Sequence, residues 1–253
     1  MNGKFFTVAS YNIHQCVGVD GKRDPHRVAR VIQELKPDII GLQEVDYRPL
    51  GDQKSYQLNY LAEATGLTAI AGPTIHRPDA EFGNALLTRH EVINVCLHDI
   101  SVPRRQSRGA IDAVIDINGQ TVRVLVTHLG LSGRERRRQV LRLMELVANK
   151  GTRLTLLLGD LNEWWPPRFS VRNLNARLGR AFSPRTFPSK FPLFALDRIW
   201  VSPHEALLET TITKTPLTRI ASDHLPLQAT IRLSEPVSLE EMADGIPILQ
   251  DRS

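Results

Sequence analysis

Two kinds of hydrophobic pattern follow one another along this chain. Short apolar or alternating runs predict β-strands at residues 5–13, 39–45, 84–88, 91–97, 154–158, 196–201, 208–213 and 227–233, with another around Ala69. Apolar positions with helical spacing predict helices at residues 25–35, 57–65 and 133–148. Asp24 and Pro25 are typical of the residues that begin a helix. Strands and helices therefore alternate, and no linker separates them.

A β-hairpin is predicted within residues 110–129. Two alternating runs there flank Asn118 and Gly119, a dipeptide that favours the tight turns of hairpins. Hairpins among strand–helix units favour mixed sheets with helices outside over a purely parallel sheet. No glycine-rich phosphate loop follows the first strand, which argues against nucleotide-binding folds that use one. No helix or strand is predicted between residues 159 and 190, a segment rich in Pro and Arg.

The composition is that of a soluble globular protein with a basic surface. Of 253 residues, 42% are apolar and 23% are charged, and the net charge of +5 favours an anionic partner. Nucleic acid, an acidic membrane surface and a phosphorylated substrate all remain open. Cys16 and Cys96 have no CxxC spacing, so neither a disulfide framework nor a zinc site is indicated. Without a signal peptide or membrane span, a cytoplasmic location is expected, with peripheral membrane contact left open.

The segment LTLLLGDLNEWWPP contains the first candidate site residues. A run of strand-like leucines ends at Asp160, and Asn162 follows two residues later. One interpretation is a turn, since Gly-Asp and Asn are common turn residues. The other is a pair of oxygen ligands at the rim of a sheet, because residues i and i+2 of an extended segment point to the same side.

Polar side chains also stand where other predicted strands begin or end. They are Asn12 in SYNIH, Glu44 in LQEVD, His128 in VTHLG, Asp197 in LDRIW, and Asp223 and His224 in SDHLPL. Each alone has an ordinary interpretation as a loop, capping or surface residue. Together they indicate a site, because a sandwich of sheets can gather these strand ends at one edge. Carboxylate and amide oxygens suit Mg²⁺, and histidine beside carboxylate suits proton transfer in phosphate-ester hydrolysis.

In order, SYNIH, LQEVD, GNALLTR, THLGL, GDLNEW, LDRIW and SDHLPL resemble the motifs of the endonuclease/exonuclease/phosphatase superfamily. The resemblance spans residues 5–233, and RTFPSKFPLFALDRIW is similar to a small stand-alone bacterial branch. It implies an α/β (α+β) fold, a four-layer sandwich of two mixed β-sheets flanked by helices. One catalytic domain is expected at residues 1–233. The acidic tail at residues 234–253 is expected to be a loosely docked helix or partly disordered.

On matching positions, the resemblance implies a metal site beside the attacking water. Glu44 would hold Mg²⁺, with Asn12 close by and Asp223 completing the metal side, and Mn²⁺ is an expected substitute. Asp160 would orient or deprotonate the water, and Asn162 would bind a phosphate oxygen. GDLN is thus expected to be a site element rather than a simple turn.

The resemblance also implies groups that act on the phosphate. His224, oriented by Asp197, would donate to a phosphoryl oxygen. His128 stands where deoxyribonuclease-like and sphingomyelinase-like members place a histidine that assists the leaving group, whereas abasic-site endonucleases have a tyrosine-containing motif. Asn84 and Arg108 are expected to bind substrate, although Arg108 has an alternative as a solvated arginine at a strand end.

The expected function is Mg²⁺-dependent hydrolysis of a phosphodiester, either a lipid headgroup or a small organic molecule. The alternatives are a nuclease acting on DNA or RNA and a non-catalytic module that binds phosphate ligands. No protein partner is indicated, and a monomer is expected.

Two surface features bear on this choice. An arginine cluster, Arg134, Arg136, Arg137 and Arg138, opens the third helix and is interpreted either as a solvated face or as a contact for anionic lipid or nucleic acid. Because cations oppose the dipole at a helix start, it needs some compensation. Apolar side chains are interpreted either as core or as a lip beside the site: Trp164, Trp165, Phe187, Phe191, Leu193 and Phe194.

Overall fold

A computed structural model of the chain describes residues 5–47, 56–77, 80–148, 152–164 and 169–233. The strands are β1 Phe5–Asn12, β2 Ile39–Asp46, β3 Thr68–Arg77, β4 Ala80–Thr88, β5 Glu91–Asp99, β6 Gly109–Ile117, β7 Gln120–His128, β8 Leu154–Asp160, β9 Asp197–Ser202, β10 Leu207–Ile212 and β11 Leu227–Arg232. The helices are α1 Pro25–Leu35, α2 Tyr56–Thr65, α3 Gly133–Ala148, α4 Phe169–Leu178 and α5 Thr218–Ala221.

The strands form two mixed sheets. One sheet has the order β10-β11-β1-β2-β4-β3, and the other has the order β5-β6-β7-β8-β9. β1 runs parallel to β2, and β7 runs parallel to β8, while the other neighbours are antiparallel. The predicted pair of mixed sheets is therefore confirmed.

The central core lies between the two sheets, because alternate residues of each strand point inward. Phe6 and Val8 of β1 meet there with branched residues of the other sheet, such as Val124 and Leu156. The same alternation turns Tyr11 to the opposite face, where α1 and α2 cover it. α3 and α4 cover the outer face of the second sheet. The four layers follow from these faces.

α1 shows how local sequence sets an element's bounds. Asp24 is the N-cap, and its side chain accepts a hydrogen bond of 3.1 Å from the backbone N–H of Arg27. Pro25 occupies the first turn, where its missing N–H costs nothing. Both start signals predicted for this helix are confirmed.

α4 is the main element that the sequence pattern did not predict, since it lies in the segment assigned no regular structure. Its buried side chains, Val171, Leu174 and Leu178, pack with α3 and Trp200. The short α5 was also not predicted, and β8 extends two residues beyond the predicted 154–158. The tail at residues 234–253 lies outside the described residues. In the part of the chain that the structure describes, no helix has the length and apolar character that spanning a bilayer requires.

One edge of the sandwich collects the strand ends that carry polar side chains. β1 ends at Asn12, β7 at His128 and β8 at Asp160. Antiparallel β9 begins opposite the end of β8, with Asp197 paired to Asp160. β11 begins beside Ser10, so the residues just before it reach the same edge.

Gly159 is expected to be essential for joining β7 to β8. Its φ is +150°, and a Cβ atom there would lie 1.9 Å from the carbonyl oxygen of Thr127. Gly159→Ala should therefore lower the free energy of unfolding by at least about 2 kcal/mol, measured by denaturant titration. Gly133→Ala is the matched control, because its Cβ would approach no atom closer than 3.8 Å. Equal stability of the two variants would contradict the close approach of these strands.

Candidate active site

A cavity of about 460 Å³ opens at the edge where the strand ends meet. It is lined by eight of the predicted site residues: Glu44, Asn84, Arg108, His128, Asp160, Asn162, Asp223 and His224. Asn12 and Asp197 are buried and touch these residues from behind. The structure thus brings all the predicted site residues together.

Asn12 joins two carboxylates that come from different sheets. Its Nδ2 donates to Glu44 Oε1 at 3.0 Å and to Asp160 Oδ2 at 3.1 Å. Its Oδ1 accepts a hydrogen bond of 3.0 Å from the backbone N–H of His14. The amide group therefore holds Glu44 and Asp160 near each other, and its predicted role as a metal ligand stays a prediction.

Glu44 reaches the cavity through an irregularity in β2. The register between β2 and β4 shifts between Leu42 and Val45, and Glu44 has a φ of +58°. Such bulges redirect a side chain at the edge of a sheet. A regular strand would place Glu44 in simple alternation with its neighbours, so the bulge is what aims this carboxylate.

His224 is held by a buried acid. Its Nδ1 lies 2.8 Å from Asp197 Oδ2, and its Nε2 lies 3.6 Å from Asp160 Oδ2. Thr186 Oγ1 donates to the same oxygen of Asp197 at 2.6 Å. The backbone N–H of His224 also donates to Ser222 Oγ at 3.2 Å. These contacts fix both the ring and the strand-end segment that carries it.

The electrostatics of this group assign its protonation. Burial by itself would lower the pKa of His224, but the charges of Asp197, Asp160 and Asp223 outweigh burial and raise it to about 10. Burial raises the pKa of Asp160 to about 6, although His224 acts in the opposite direction. His224 is therefore an imidazolium at neutral pH, while Asp160, with a pKa of about 6, is mostly ionised there.

The pKa of His128 is shifted in the opposite direction from that of His224. Burial, followed by the charges of Arg108 and His224, lowers its pKa well below the ordinary value. Asn162 Nδ2 lies 2.9 Å from His128 Nε2 and donates to the carbonyl oxygen of Leu129 at 2.9 Å. With Asn162 as donor, Nε2 is an acceptor and the ring proton is at Nδ1. His128 is therefore neutral.

Asn162 is set by the loop that follows β8. Its φ is +51°, a region that asparagine tolerates better than most residues. Its backbone N–H donates to Asp160 Oδ1 at 2.8 Å. The turn interpretation and the site interpretation of GDLN thus describe the same residues, because the turn is what positions the amide.

Arg108 and Asn84 also line the cavity. Burial lowers the pKa of Arg108, and Glu44 and Asp160 oppose this effect. Arg108 is half-buried, its Nε has no hydrogen-bond partner within the described residues, and its Nη2 donates to Gln106 Oε1 at 3.3 Å. Asn84 Nδ2 donates to the carbonyl oxygen of Gly109 at 3.1 Å, which links the two sheets beside Arg108.

The donor set fits a hard divalent cation. Asp160, Asp197 and His224 offer ligand atoms within 4.8 Å of one another, but Asp197 and His224 are already paired as ions. Glu44 and Asp223 also line the cavity and offer carboxylate oxygens. Their chemistry suits Mg²⁺ rather than a thiophilic metal.

Aromatic side chains form one rim of the cavity. Phe187 and Phe194 pair across a short hairpin, and Trp164 meets them edge-on with centroid distances of 5.2 and 5.3 Å. The Phe187 ring lies 4.9 Å from the ring of His224. At the tip of this hairpin, Phe191 and Leu193 are 76% and 59% exposed. Trp164 and Phe187 are half-buried and line the cavity, which fits the lip interpretation, and Phe194 is half-buried beside them. Trp165 lies outside the described residues.

The arginine cluster divides into two parts. Arg136 is buried, with Nη2 donating to Glu163 at 3.1 Å and Nη1 donating to the carbonyl oxygens of Gly130 and Leu131. A solvated face is therefore wrong for Arg136, and these acceptors supply the compensation that a basic helix start needs. The others, Arg134, Arg137 and Arg138, are exposed, and the guanidinium of Arg137 lies 4.5 Å from the centroid of the Phe169 ring.

Thr186 and Ser222 are not among the residues that the sequence predicted for the site, whereas Phe187 was predicted there as core or as a lip beside it. Ser222 Oγ donates to the carbonyl oxygen of Asn12 at 2.7 Å, and the hydroxyl in SDH beside two site residues was an available signal. Thr186 carries no such signal, because its contact with Asp197 depends on the path of the loop that joins them.

The sequence model of the Endonuclease/Exonuclease/phosphatase family matches residues 9–224. The uncharacterized protein YbhP of Escherichia coli strain K12 is 30% identical over 249 residues, which cover 90% of this chain and 96% of that protein. The resemblance found in the motifs therefore extends over nearly the whole length.

Solved structures show the same fold. One is mannosyl-6-phosphatase Bt3783 of Bacteroides thetaiotaomicron VPI-5482, with a TM-score of 0.67, 18% identity, and coverage of 88% of this chain and 98% of that chain. Another is a humanized D. rerio TDP2, with a TM-score of 0.67, 16% identity, and coverage of 89% and 98%. At these identities the likeness establishes the fold alone.

The charge state of His224 can be read by NMR. In metal-free protein, the His224 imidazole should stay protonated until the pH approaches 10, while His128 should be neutral at pH 7. Asp197→Asn should lower the pKa of His224 by more than about one unit, because the opposing charge is removed. Nitrogen shifts of the imidazoles report both. A wild-type His224 that titrates near 6.5 would contradict the proposed ion pair.

Proposed function

Because the chain belongs to the endonuclease/exonuclease/phosphatase family, we propose that it is a Mg²⁺-dependent phosphodiesterase that acts on a lipid headgroup or a small organic phosphodiester. The observation that carries this proposal is one cavity in which Asp160, a charged His224 and Arg108 face the same space. A base, a cation and a phosphate-binding guanidinium are what hydrolysis by water needs.

Asp160 is the group proposed to receive the proton of the attacking water. Its pKa of about 6 leaves it ionised at neutral pH yet basic enough to take a proton. The hydrogen bonds from Asn12 Nδ2 and the backbone of Asn162 hold its two oxygens in place. The water would therefore approach a carboxylate of fixed orientation.

His224 and Arg108 are proposed to stabilise charge on the phosphoryl oxygens. Asp197 keeps the imidazole charged and fixes its ring, so the charge is already oriented before the reaction begins. Arg108 is half-buried and lines the cavity, and the fork of its guanidinium matches two phosphate oxygens. The neutral His128 has its ring proton at Nδ1, so Nδ1–H is the group that would donate a hydrogen bond to the leaving oxygen.

The cation site is proposed at Glu44 and Asp223, with Asn12 beside it. When bound, Mg²⁺ would neutralise phosphate charge and lower the barrier to attack, and Mn²⁺ is a suitable substitute. Glu44 would remain aligned with the help of its hydrogen bond from Asn12. Asp223 Oδ1 lies 3.3 Å from Ser222 Oγ, whose proton is donated to the carbonyl oxygen of Asn12.

An amphiphilic substrate is supported by the apolar rim. Phe191 and Leu193 expose most of their surface at the tip of the hairpin whose base touches His224. Leu131, which lines the cavity, is 67% exposed. Apolar side chains beside a phosphate-binding cavity suit a headgroup with its acyl chains, and peripheral contact with a lipid surface is part of the proposal.

A nuclease is the second candidate. It is favoured by the exposed arginines Arg134, Arg137 and Arg138 and by the net charge of +5, which suit a phosphodiester backbone. A non-catalytic module is disfavoured, because the base, the charged histidine and the carboxylates expected for the metal are all present in one cavity.

Glu44→Gln should lower hydrolysis of bis-p-nitrophenyl phosphate by about 100-fold or more and leave the melting temperature nearly unchanged. An amide of the same shape keeps the packing and removes the charge that binds the cation. Glu91→Gln makes the same change at an exposed position of β5 and should retain full activity. Full activity of EDTA-treated wild type, with no metal restored, would contradict the proposed metal dependence.

The apolar tip distinguishes the two substrate classes. Phe191→Ser with Leu193→Ser should reduce hydrolysis of anionic phospholipid vesicles at least about tenfold and change hydrolysis of bis-p-nitrophenyl phosphate less than twofold. Ile93→Ser with Leu97→Ser is the matched control, since these side chains of β5 are 53% and 56% exposed. Salt-sensitive binding of duplex DNA by wild type, without vesicle association, would instead support the nuclease.

A further inference from the structure

A buried arginine lies on the far side of the strand that carries Asp197. Alternation along β9 turns Asp197 toward His224, which lines the catalytic cavity, and Arg198 toward the opposite side of the sheet. Arg198 is only 5% exposed, and its Nε has no hydrogen-bond partner among the residues that the structure describes. Its Nη1 donates to Ser183 Oγ, a neutral group. Among the described residues, the positive charge of Arg198 therefore has no carboxylate in hydrogen-bond contact.

The nearest opposing charges are already engaged. Glu163 accepts from Arg136 at 3.1 Å, and Asp197 is paired with His224 at 2.8 Å. Burial lowers the pKa of Arg198 to about 10, and the charges of Glu163 and Asp197 offset burial only in part. Because a buried charge without a partner is unfavourable, an anion from solution would be stabilised here.

Arg198 lines a second cavity, the outer cavity, of about 680 Å³. Arg180 and His204 also line it, so cationic or donor groups reach it from three segments of the chain. The apolar part of its wall includes Phe182, which is 61% exposed, and one carboxylate, the exposed Glu209, also lines it. The outer cavity shares no lining residue with the catalytic cavity.

We propose that the outer cavity is a second ligand site, which binds a small organic anion that carries a phosphate group. The phosphate would pair with the guanidinium of Arg198, whose fork of donors matches phosphate oxygens, and Arg180 would add a second cation. The organic part would pack on Phe182 and the neighbouring Leu207 and Leu208. This site is independent of the hydrolysis proposed above.

Inorganic phosphate is the probe, and isothermal titration is the measurement. Wild type should bind phosphate in both cavities, so each cavity is removed separately. Arg108→Gln should remove binding in the catalytic cavity only. Arg198→Met should weaken the remaining binding at least about tenfold, because a charge-assisted contact is lost. Arg172→Met is the matched control, since Arg172 is an exposed arginine of α4 outside the outer cavity.

A gain-of-charge variant covers the case in which Arg198→Met folds poorly. Ser183→Asp places a carboxylate beside the Nη1 group that now meets the serine hydroxyl. It should raise the melting temperature by about 2 °C or more and abolish phosphate binding in the outer cavity. Hydrolysis of bis-p-nitrophenyl phosphate should remain within about twofold of wild type, because Ser183 is not among the residues that line the catalytic cavity.

Two results would overturn the proposal. In one, phosphate binding disappears entirely in Arg108→Gln, which would place all binding in the catalytic cavity. In the other, Ser183→Asp binds phosphate as wild type does while Arg198→Met is strongly destabilised, which would make Arg198 a purely structural residue. Neither result depends on catalytic turnover, so failure here is distinct from failure of the proposed phosphodiesterase activity.

Discussion

The site depends on holding several carboxylates close together at the meeting point of two sheets. Asn12 on β1 donates from one nitrogen to Glu44 in its own sheet and to Asp160 in the other. Without these hydrogen bonds, two buried or half-buried negative charges would repel each other across the gap between the sheets. A single amide therefore holds together two acids that come from different sheets.

The same negative field sets the state of the histidines. His224 lies against Asp197 and Asp160, which raise its pKa, whereas His128 lies near Arg108 and His224 and stays neutral. Two histidines at one edge thus differ in charge, one positive and one neutral, because of their surroundings alone. The hairpin that begins at Thr186 completes the arrangement, because Thr186 donates to Asp197 and Phe187 packs on the ring of His224.

Three buried or half-buried arginines lie near this acidic centre, and their charges are compensated unequally. Each has a buried Nε without a partner in the described part of the chain, so the difference lies in their other nitrogens. Arg136 donates to Glu163 and to two carbonyl oxygens, so its charge is paired with a carboxylate. Arg108 lines the catalytic cavity and donates to Gln106, whereas Arg198 lines the outer cavity and donates to Ser183, and both of these acceptors are neutral. Arg108 and Arg198 are therefore suited to bind anions, in two separate cavities.

Much of the fold was available from local pattern. Alternation gave the strands, Asn118 and Gly119 gave the hairpin, and Asp24 gave the start of α1, because these signals act over a few residues. The polar strand ends predicted most of the site residues, since strand topology gathers such ends at one edge, whereas Asn84 and Arg108 were predicted from the resemblance to the family. α4 was missed because its segment is rich in Pro and Arg and its helix is stabilised by packing on α3 and Trp200 rather than by local sequence.

Only the tertiary structure decided which side chains from distant segments come into contact. Three examples involve groups from separate elements. Arg136 is buried beside Glu163, and Thr186 donates a hydrogen bond to Asp197. The Nε of Arg198 has no partner among the residues that the structure describes. Charge states follow the same rule, because a pKa depends on burial and on neighbours in space. The sequence by itself determined which chemical groups meet at the edge of the sandwich, whereas packing determined which of them are charged, paired or left open to a ligand.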